Sequence, residues 1–157
     1  MADVRKFLVI ADGSEESRTA AYFAARRARN TAGSVTLLAV AETEGGFEHW
    51  LGVGEAMRAE AREHAEEALE SLAEDVEGVT GARPELILKE GELNACLRKL
   101  VEDDAAIAIL VLGAAPTGEP GPLVSALSRG KGLFESRQIP VTVVPGGLSR
   151  EDLKALA

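Results

Sequence analysis

Cysteine and histidine are scarce in this sequence, which has one Cys and two His among 157 residues. These are too few to build a Cys/His metal cage or a disulfide framework, so both kinds of site are excluded. We interpret Cys96, which lies in a predicted helix, as a small buried hydrophobic residue. Aromatic residues make up only 4% of the chain. The core must therefore consist mostly of Ala, Val, Leu and Ile.

Positive charge is also scarce, because 17 Lys and Arg stand against 26 Asp and Glu and give a formal net charge of −9. Nucleic acids and anionic membranes bind to basic surfaces, so neither is an expected partner. A mononucleotide needs only a local pocket and is not excluded. No apolar run approaches the ~20 residues that cross a bilayer, and residues 1–6 lack the layout of a signal peptide. We therefore expect a cytoplasmic protein.

The sequence does have a regular alternation of apolar runs and amphipathic segments. The runs are continuous, which is typical of strands buried on both faces of a parallel sheet. This order predicts an α/β fold of three layers, with a five-stranded parallel sheet and helices on both faces. Strands are predicted at residues 7–11, 34–41, 84–89, 106–112 and 139–144, and helices at 15–32, 55–77, 93–101 and 123–135.

The length of the chain predicts one domain, over residues 1–147, because a chain of this size buries a single core. Residues 148–157 form a C-terminal tail. Ser149 opens a capping pattern in this tail, which is typical of the start of a short helix.

Ligands of open parallel sheets bind beyond the carboxyl ends of the strands, where the strand order reverses. Asp12, the segment 40–42 and Gly113 lie at such ends, so any site is expected there. Asp12 has two interpretations: it accepts hydrogen bonds from a ligand, or it is a turn residue that satisfies nearby backbone N–H groups. Ser14 is predicted to be a helix N-cap.

Four segments resemble the universal stress protein family, in the family's order along the chain: residues 7–17, 91–93, 109–113 and 138–145. The resemblance implies a five-stranded sheet of the adenine nucleotide alpha hydrolase-like type and a role in the stress response. It also implies a homodimer joined through the last strand, at Val141 and Val143. For an adenine nucleotide, it implies contacts with Asp12 and with the backbone groups of Val40 and Ala41.

The phosphate-binding loop departs from the pattern of the ATP-binding members of this family. They carry a Gly, two residues, a second Gly, nine residues, and then Gly followed by Ser or Thr. Counted from Gly113, Pro116 stands at the position of the second Gly, and Ala126-Leu127 stand at the positions of the final pair. Counted back from the last strand, the final pair is Leu127-Ser128. Pro removes a backbone N–H that would bind a phosphate. We therefore expect weak ATP binding or none.

A shifted loop is the alternative, because Gly118 and Gly121 keep the two-residue gap and Gly130 or Gly132 follows. Arg129 and Lys131 either bind an anion or lie on the solvated surface. Ser125 and Ser128 either contact a phosphate or have a structural role in the turns of the helix. The candidate nucleotide-binding residues are thus Ala11, Asp12, Val40, Gly113, Gly118, Gly121 and Ser128.

Three functions follow from this interpretation. The first is a non-enzymatic stress-response homodimer with weak or no ATP binding, and the second is an ATP- or AMP-dependent switch with slow hydrolysis. The third is a true enzyme, but the sequence shows no nucleophile–base pair and no metal motif, so no catalytic residue is predicted. Trp50, in the loop after the second strand, covers a ligand, meets a partner or packs on its own domain, and His49 in the same loop has no visible partner for catalysis. His64 falls on the long helix and is expected to be exposed or half-buried there.

Overall fold

The structure, a computed structural model, describes residues 4–42, 54–129 and 132–157. The loop that holds His49 and Trp50 lies outside the described residues, and so does Lys131. In the described residues, strands and helices alternate along the whole chain. They are β1 Lys6–Ile10, α1 Glu15–Thr31, β2 Ser34–Ala41, α2 Gly54–Thr80, β3 Glu85–Glu90, α3 Leu93–Asp103, β4 Ile107–Ala114, α4 Pro122–Ser128, β5 Val141–Pro145 and α5 Arg150–Leu156.

The five strands form one sheet in the order β3-β2-β1-β4-β5, and every neighbouring pair is parallel. The predicted three-layer α/β fold is confirmed. The chain builds outward from β1 to β3 and then returns to place β4 on the other side of β1. The strand order therefore reverses between β1 and β4, and a ligand cleft is expected at their carboxyl ends.

The core has two apolar clusters, one on each face of the sheet. Successive side chains of a strand point to opposite faces, so Phe7 and Val9 belong to one cluster while Leu8 and Ile10 belong to the other. Helices α1 and α2 cover the first face, and α3 and α4 cover the second. Small residues let α1 lie close to the sheet, and five of its alanines are completely buried: Ala20, Ala21, Ala24, Ala25 and Ala28.

The fourth predicted helix is shorter than expected, because α4 ends at Ser128 and residues 132–140 are irregular. Gly130 and Gly132 follow that end in the sequence, and glycine disfavours a helix interior by ~1 kcal/mol per residue. The C-terminal tail contains α5, which is capped by Ser149 and packs through Leu153 into the core. In the part of the chain that the structure describes, no helix has the length and apolar character needed to span a membrane.

Polar side chains link three strands at the amino ends of the sheet. Lys6 Nζ donates hydrogen bonds to Asp104 Oδ2 at 2.7 Å and to Glu85 Oε1 at 3.1 Å. The hydroxyl of the buried residue Thr36 also donates to Glu85 Oε1, at 3.0 Å. The hydrogen bond with Asp104 raises the pKa of Lys6 and lowers that of Asp104. We interpret this network as structural, because it lies at the end of the sheet opposite to the expected cleft.

Candidate functional site

A cleft lies at the carboxyl ends of β1 and β4, where the strand order reverses. Buried apolar side chains from three elements line it, namely Ile10 of β1, Leu112 of β4 and Leu123 of α4. Its rim carries Asp12, which follows β1, and Glu16, in the first turn of α1. The cavity measures about 80 Å³, whereas pockets for drug-sized ligands measure ~300–1,000 Å³. The cleft is therefore in the expected place but is small.

The turn between β1 and α1 is closed by its own side chains. Asp12 Oδ1 accepts hydrogen bonds from the backbone N–H of Ser14 at 2.9 Å and from its hydroxyl at 2.6 Å. Ser14 Oγ in turn accepts from the N–H of Ser17 at 3.1 Å, so the predicted N-cap is confirmed. Gly13, between them, has a φ of 82°, which glycine adopts without strain. Asp12 thus has the contacts of a turn residue, and its Oδ2 makes no hydrogen bond with a described residue.

Gly113 lies directly against the start of α1. A Cβ atom at this position would lie 2.0 Å from the backbone oxygen of Glu16 and 2.5 Å from its carbonyl carbon. Only glycine leaves enough space for this approach. The same contact places Glu16 at the wall of the cleft, with its Cβ 3.1 Å from that position.

The loop after β4 lacks several of the amide donors that a phosphate could use. Its ends are joined by a hydrogen bond from the N–H of Ala115 to the oxygen of Pro120. Gly121 precedes α4 with a φ of 122°, and Pro122 is the first residue of that helix. Because proline has no N–H, neither Pro120 nor Pro122 donates to a ligand.

Pro116, which occupies the position of the family's second glycine, packs against the turn that follows β5. Its Cδ lies 3.2 Å from the position of a Cβ on Gly146, and its Cβ lies 3.7 Å from that of a Cβ on Gly147. The N–H of Gly146 also donates to the oxygen of Ala114 at 2.8 Å. The segment after β5 therefore packs against this loop at Pro116, the position at which the family pattern has a glycine.

The cleft is acidic. Among its described lining residues the charged side chains are those of Asp12 and Glu16, and none is Lys or Arg. Arg129, the candidate anion ligand, is exposed at the end of α4 and is not one of the lining residues. The described lining therefore offers an anion no cationic side chain.

The structure brings Asp12, Gly113 and Gly121 together around the cleft, but the other four candidates are not among its described lining residues. Ala11 is buried in the core, and Val40 is half-buried against the other apolar cluster. Gly118 is exposed in the loop, where nothing lies within 4 Å of a Cβ. Ser128 lies at the far end of α4.

Two further residues of the sequence analysis lie away from the cleft wall. Cys96 is half-buried, which corrects the expectation of a buried side chain, and its Sγ donates to the oxygen of Glu90 at 3.8 Å. Burial raises the pKa of this thiol. His64 is exposed on α2, as predicted, and its imidazole lies 3.5 Å from the position of a Cβ on Gly13. The described residues contain no group of three or more His, Cys, Asp or Glu side chains placed to hold a metal.

Glu16 is the site residue that the sequence analysis missed. In the sequence it is a first-turn acid of a helix, a position that acids favour for electrostatic reasons alone. The sequence gives one other indication, which is that the helix containing Glu16 follows a strand whose carboxyl end borders the predicted site. The close contact with Gly113, which is 97 residues away in the chain (113 minus 16), is visible only in the fold.

The family model of universal stress proteins matches residues 3–145. The chain belongs to the universal stress protein family. The family prediction is therefore confirmed, and it covers β1 through β5. No curated protein gives a significant match to this universal stress protein.

Solved structures of similar fold include other universal stress proteins. One is UspA from Lactobacillus plantarum, with a TM-score of 0.71 and 16% identity over 92% of this chain and 99% of that one. A universal stress protein in complex with cAMP has a TM-score of 0.63 and 14% identity, over 91% of this chain and 98% of that one. One from Archaeoglobus fulgidus in complex with dAMP has a TM-score of 0.63 and 16% identity, over 92% and 99%.

Proposed function

We propose that this universal stress protein is a regulatory homodimer of the cytoplasmic stress response, which catalyses no reaction and binds ATP weakly or not at all. The observation that carries the proposal is Pro116, which stands at the position of the family's second glycine, packs against the turn after β5 and has no backbone N–H for a phosphate. The single cysteine fits a reducing compartment, where folds do not depend on disulfides.

Electrostatics supports weak binding of a triphosphate. Two like unit charges ~4 Å apart repel by ~1 kcal/mol in water and by ~4 kcal/mol near a protein surface. Each ~1.4 kcal/mol lowers affinity tenfold. A phosphate placed near Asp12 or Glu16 is therefore expected to bind less tightly, and Pro120 and Pro122 provide no amide donor to offset this repulsion.

Titration of the full chain with ATP and Mg²⁺, followed by calorimetry and by amide NMR, tests this proposal. We expect a dissociation constant above ~1 mM. Glu16→Gln removes one negative charge without changing shape, so it is expected to bind ATP about threefold to tenfold more tightly. Glu74→Gln is the matched control, because Glu74 is exposed on α2 outside the cleft lining. Micromolar binding of ATP by the unmodified protein would refute the proposal.

A nucleotide switch is the second candidate. It is favoured by the structural relatives described in complex with cAMP and with dAMP. A monophosphate brings less negative charge past Asp12 and Glu16 than a triphosphate does. Micromolar binding of AMP without binding of ATP in the same titration would select this function over the first.

The proposed dimer contact is β5, one of the two edge strands of the sheet. Its sequence, VTVVP, has no charged residue, and Val143 is 41% exposed while Val141 is half-buried. The other edge, β3, carries the exposed charges of Glu85, Lys89 and Glu90. Charges on an edge strand oppose pairing with another strand, so β5 is the edge suited to self-association.

Val143→Lys is expected to convert the dimer to a monomer, because pairing would bury an ammonium group at the edge of β5. Light scattering at micromolar concentration measures the change in mass. Met57→Lys is the control, since Met57 is 49% exposed on α2. A monomeric unmodified protein would disprove the dimer, and a Val143→Lys variant that stays dimeric would place the contact elsewhere.

A further inference from the structure

Helix α5 packs against α1 and is held there mainly by one buried side chain. Leu153 is 2% exposed and belongs to the apolar cluster that also includes the buried residues of α1 and α2. It is the one buried residue of α5, whereas Leu156 in the same helix is 63% exposed. Leu148, in the turn before α5, adds a half-buried contact with the same cluster. The apolar packing of α5 therefore depends mostly on Leu153.

Polar contacts fix the two ends of α5. At its start, the guanidinium of the exposed residue Arg150 lies over the ring of Tyr22, 4.6 Å from the ring centroid. After its last turn, the backbone oxygen of Ala157 accepts hydrogen bonds from Arg27 Nη1 at 3.3 Å and from Asn30 Nδ2 at 3.2 Å. Cation–π contacts and hydrogen bonds at exposed sites are individually weak. They orient α5 on α1 but add little to the free energy that holds it there.

A further contact links α5 to α2. Nη2 of Arg150 lies 4.0 Å from Oδ2 of Asp75, and the same oxygen pairs with Arg18 of α1. Arg18 also donates from Nη2 to the hydroxyl of Ser71 at 2.7 Å. The link between α1 and α2 is thus made by Arg18, so it does not require α5.

Helix α5 is an addition to the core of the family fold. The match to the family model ends at residue 145, which is also the end of β5, and α5 follows it. A helix of seven residues does not persist alone, because isolated helices shorter than ~12–15 residues are marginal in water. Helix α5 therefore has two states, which are packed and helical or detached and unfolded. Proteins open in such local units at a lower free energy than global unfolding requires.

We propose that α5 detaches from α1 without unfolding of the sheet, and that α1 becomes more mobile while α5 is detached. The packed helix covers Tyr22, which is 6% exposed, and detachment brings this ring into water. Because α1 begins directly after the turn of Asp12 and Ser14, the state of α5 changes how firmly the end of that turn is held. The inference goes beyond the proposed function, since it involves no ligand and no second subunit.

Hydrogen exchange of the full-length protein, followed by amide NMR, is the first test. The N–H of Leu153 donates to the oxygen of Ser149 at 3.0 Å, and that of Ala157 donates to the oxygen of Leu153 at 2.9 Å. Both amides are therefore protected only while α5 is packed. We expect them to exchange at least about tenfold faster than the amides of β1 and β4. Equal rates in α5 and in these strands would overturn the inference, because α5 would then open only with the whole fold.

Leu153→Asp tests the detached state directly, because packing would bury an unpaired carboxylate. We expect residues 150–157 to show the chemical shifts of an unfolded segment while β1 and β4 keep theirs. Exchange at the amide of Tyr22, divided by that in β1, is expected to rise at least about fivefold. Leu156→Asp is the matched control, since it places the same charge at an exposed position of the same helix; it is expected to keep α5 packed.

Tyr22 provides a second measurement, because it is the only tyrosine of the chain. Protein labelled with fluorotyrosine gives one fluorine signal, which is expected to move towards that of a solvent-exposed ring in Leu153→Asp and to stay in place in Leu156→Asp. A Leu153→Asp variant that loses the native shifts of β1 and β4 would show that the sheet depends on α5 and would overturn the inference. An unchanged ratio of exchange rates between Tyr22 and β1 would do the same.

Arg150→Gln is a milder change that leaves Leu153 in place. It removes the contact with Tyr22, which only the packed state contains, so exchange at the α5 amides is expected to rise about twofold to fivefold. Lys154→Gln is the control, since Lys154 is exposed on the same helix and forms no ion pair with a described residue. Equal exchange in the two variants would contradict the packed geometry on which the inference depends.

Discussion

Gly113→Ala is expected to lower the free energy of unfolding by at least ~3 kcal/mol, the upper end of what overpacking usually costs. The added Cβ would lie 2.0 Å from the backbone oxygen of Glu16, and backbone cannot rotate away as a flexible side chain does. Relief requires α1 to move off β4. Because α1 carries the five fully buried alanines, this movement would open the core on that face. Urea denaturation of the full-length protein measures the loss.

Gly78→Ala is the matched control for this change. Gly78 lies inside α2, and no atom lies within 4 Å of the Cβ that alanine would add. Alanine is the better helix former there, so the free energy of unfolding is expected to rise by ~0.5–1 kcal/mol. If Gly113→Ala proved as stable as the unmodified protein, the close contact with Glu16 would be wrong, and a role for Gly113 confined to ligand binding would be the better explanation.

Arg137→Ala is expected to lower the free energy of unfolding by ~2–4 kcal/mol, since several hydrogen bonds of a charged donor are lost together. Its guanidinium donates to the backbone oxygens of Val101 and Ala105, both at 2.9 Å, and to that of Ile107. Val101 lies near the end of α3, Ala105 in the turn that follows and Ile107 at the start of β4. A fourth bond reaches the oxygen of Asp104 at 3.4 Å.

Arg137→Lys separates geometry from charge. A lysine keeps the positive charge but has no planar fork to reach several carbonyls at once, so we expect it to recover less than half of the loss. Arg83→Ala is the control, because Arg83 is exposed and pairs only with Glu70 among the described residues; such surface pairs often contribute nothing measurable. A lysine variant as stable as the unmodified protein would show that charge alone suffices. Denaturation curves under the same conditions compare all three.

Arg137 also explains where the sequence failed to predict the fold. Apolar periodicity located the strands and most helices, because burial repeats regularly in residues such as Phe7, Leu8 and Val9. It extended the fourth helix to residue 135. The structure instead ties residues 132–140 to α3 through Arg137, whose N–H also donates to Glu102 at 2.8 Å and helps to lower the pKa of that carboxyl. Contacts between residues ~35 apart leave no periodic signal.

The candidate site was predictable to a similar extent. Topology alone placed Asp12 and Gly113 at the cleft, since both follow or end strands that flank the reversal of strand order. Counting along a loop placed Ser128 there as well, whereas the structure has it at the far end of α4. The number of residues in an irregular segment does not determine where the end of that segment lies in the fold. The acidity of the cleft was missed for the same reason, because it depends on where α1 lies against β4.

The contact of Pro116 with the turn at Gly146 and Gly147 has a consequence for communication within the molecule. This turn directly continues β5, so a shift of that edge strand is expected to move the loop after β4 through the proline ring. In the dimer proposed above, pairing at β5 and movement of the loop after β4 are expected to be coupled, each altering the free energy of the other. A glycine at position 116 would have no ring to contact this turn, so it would not transmit such a shift.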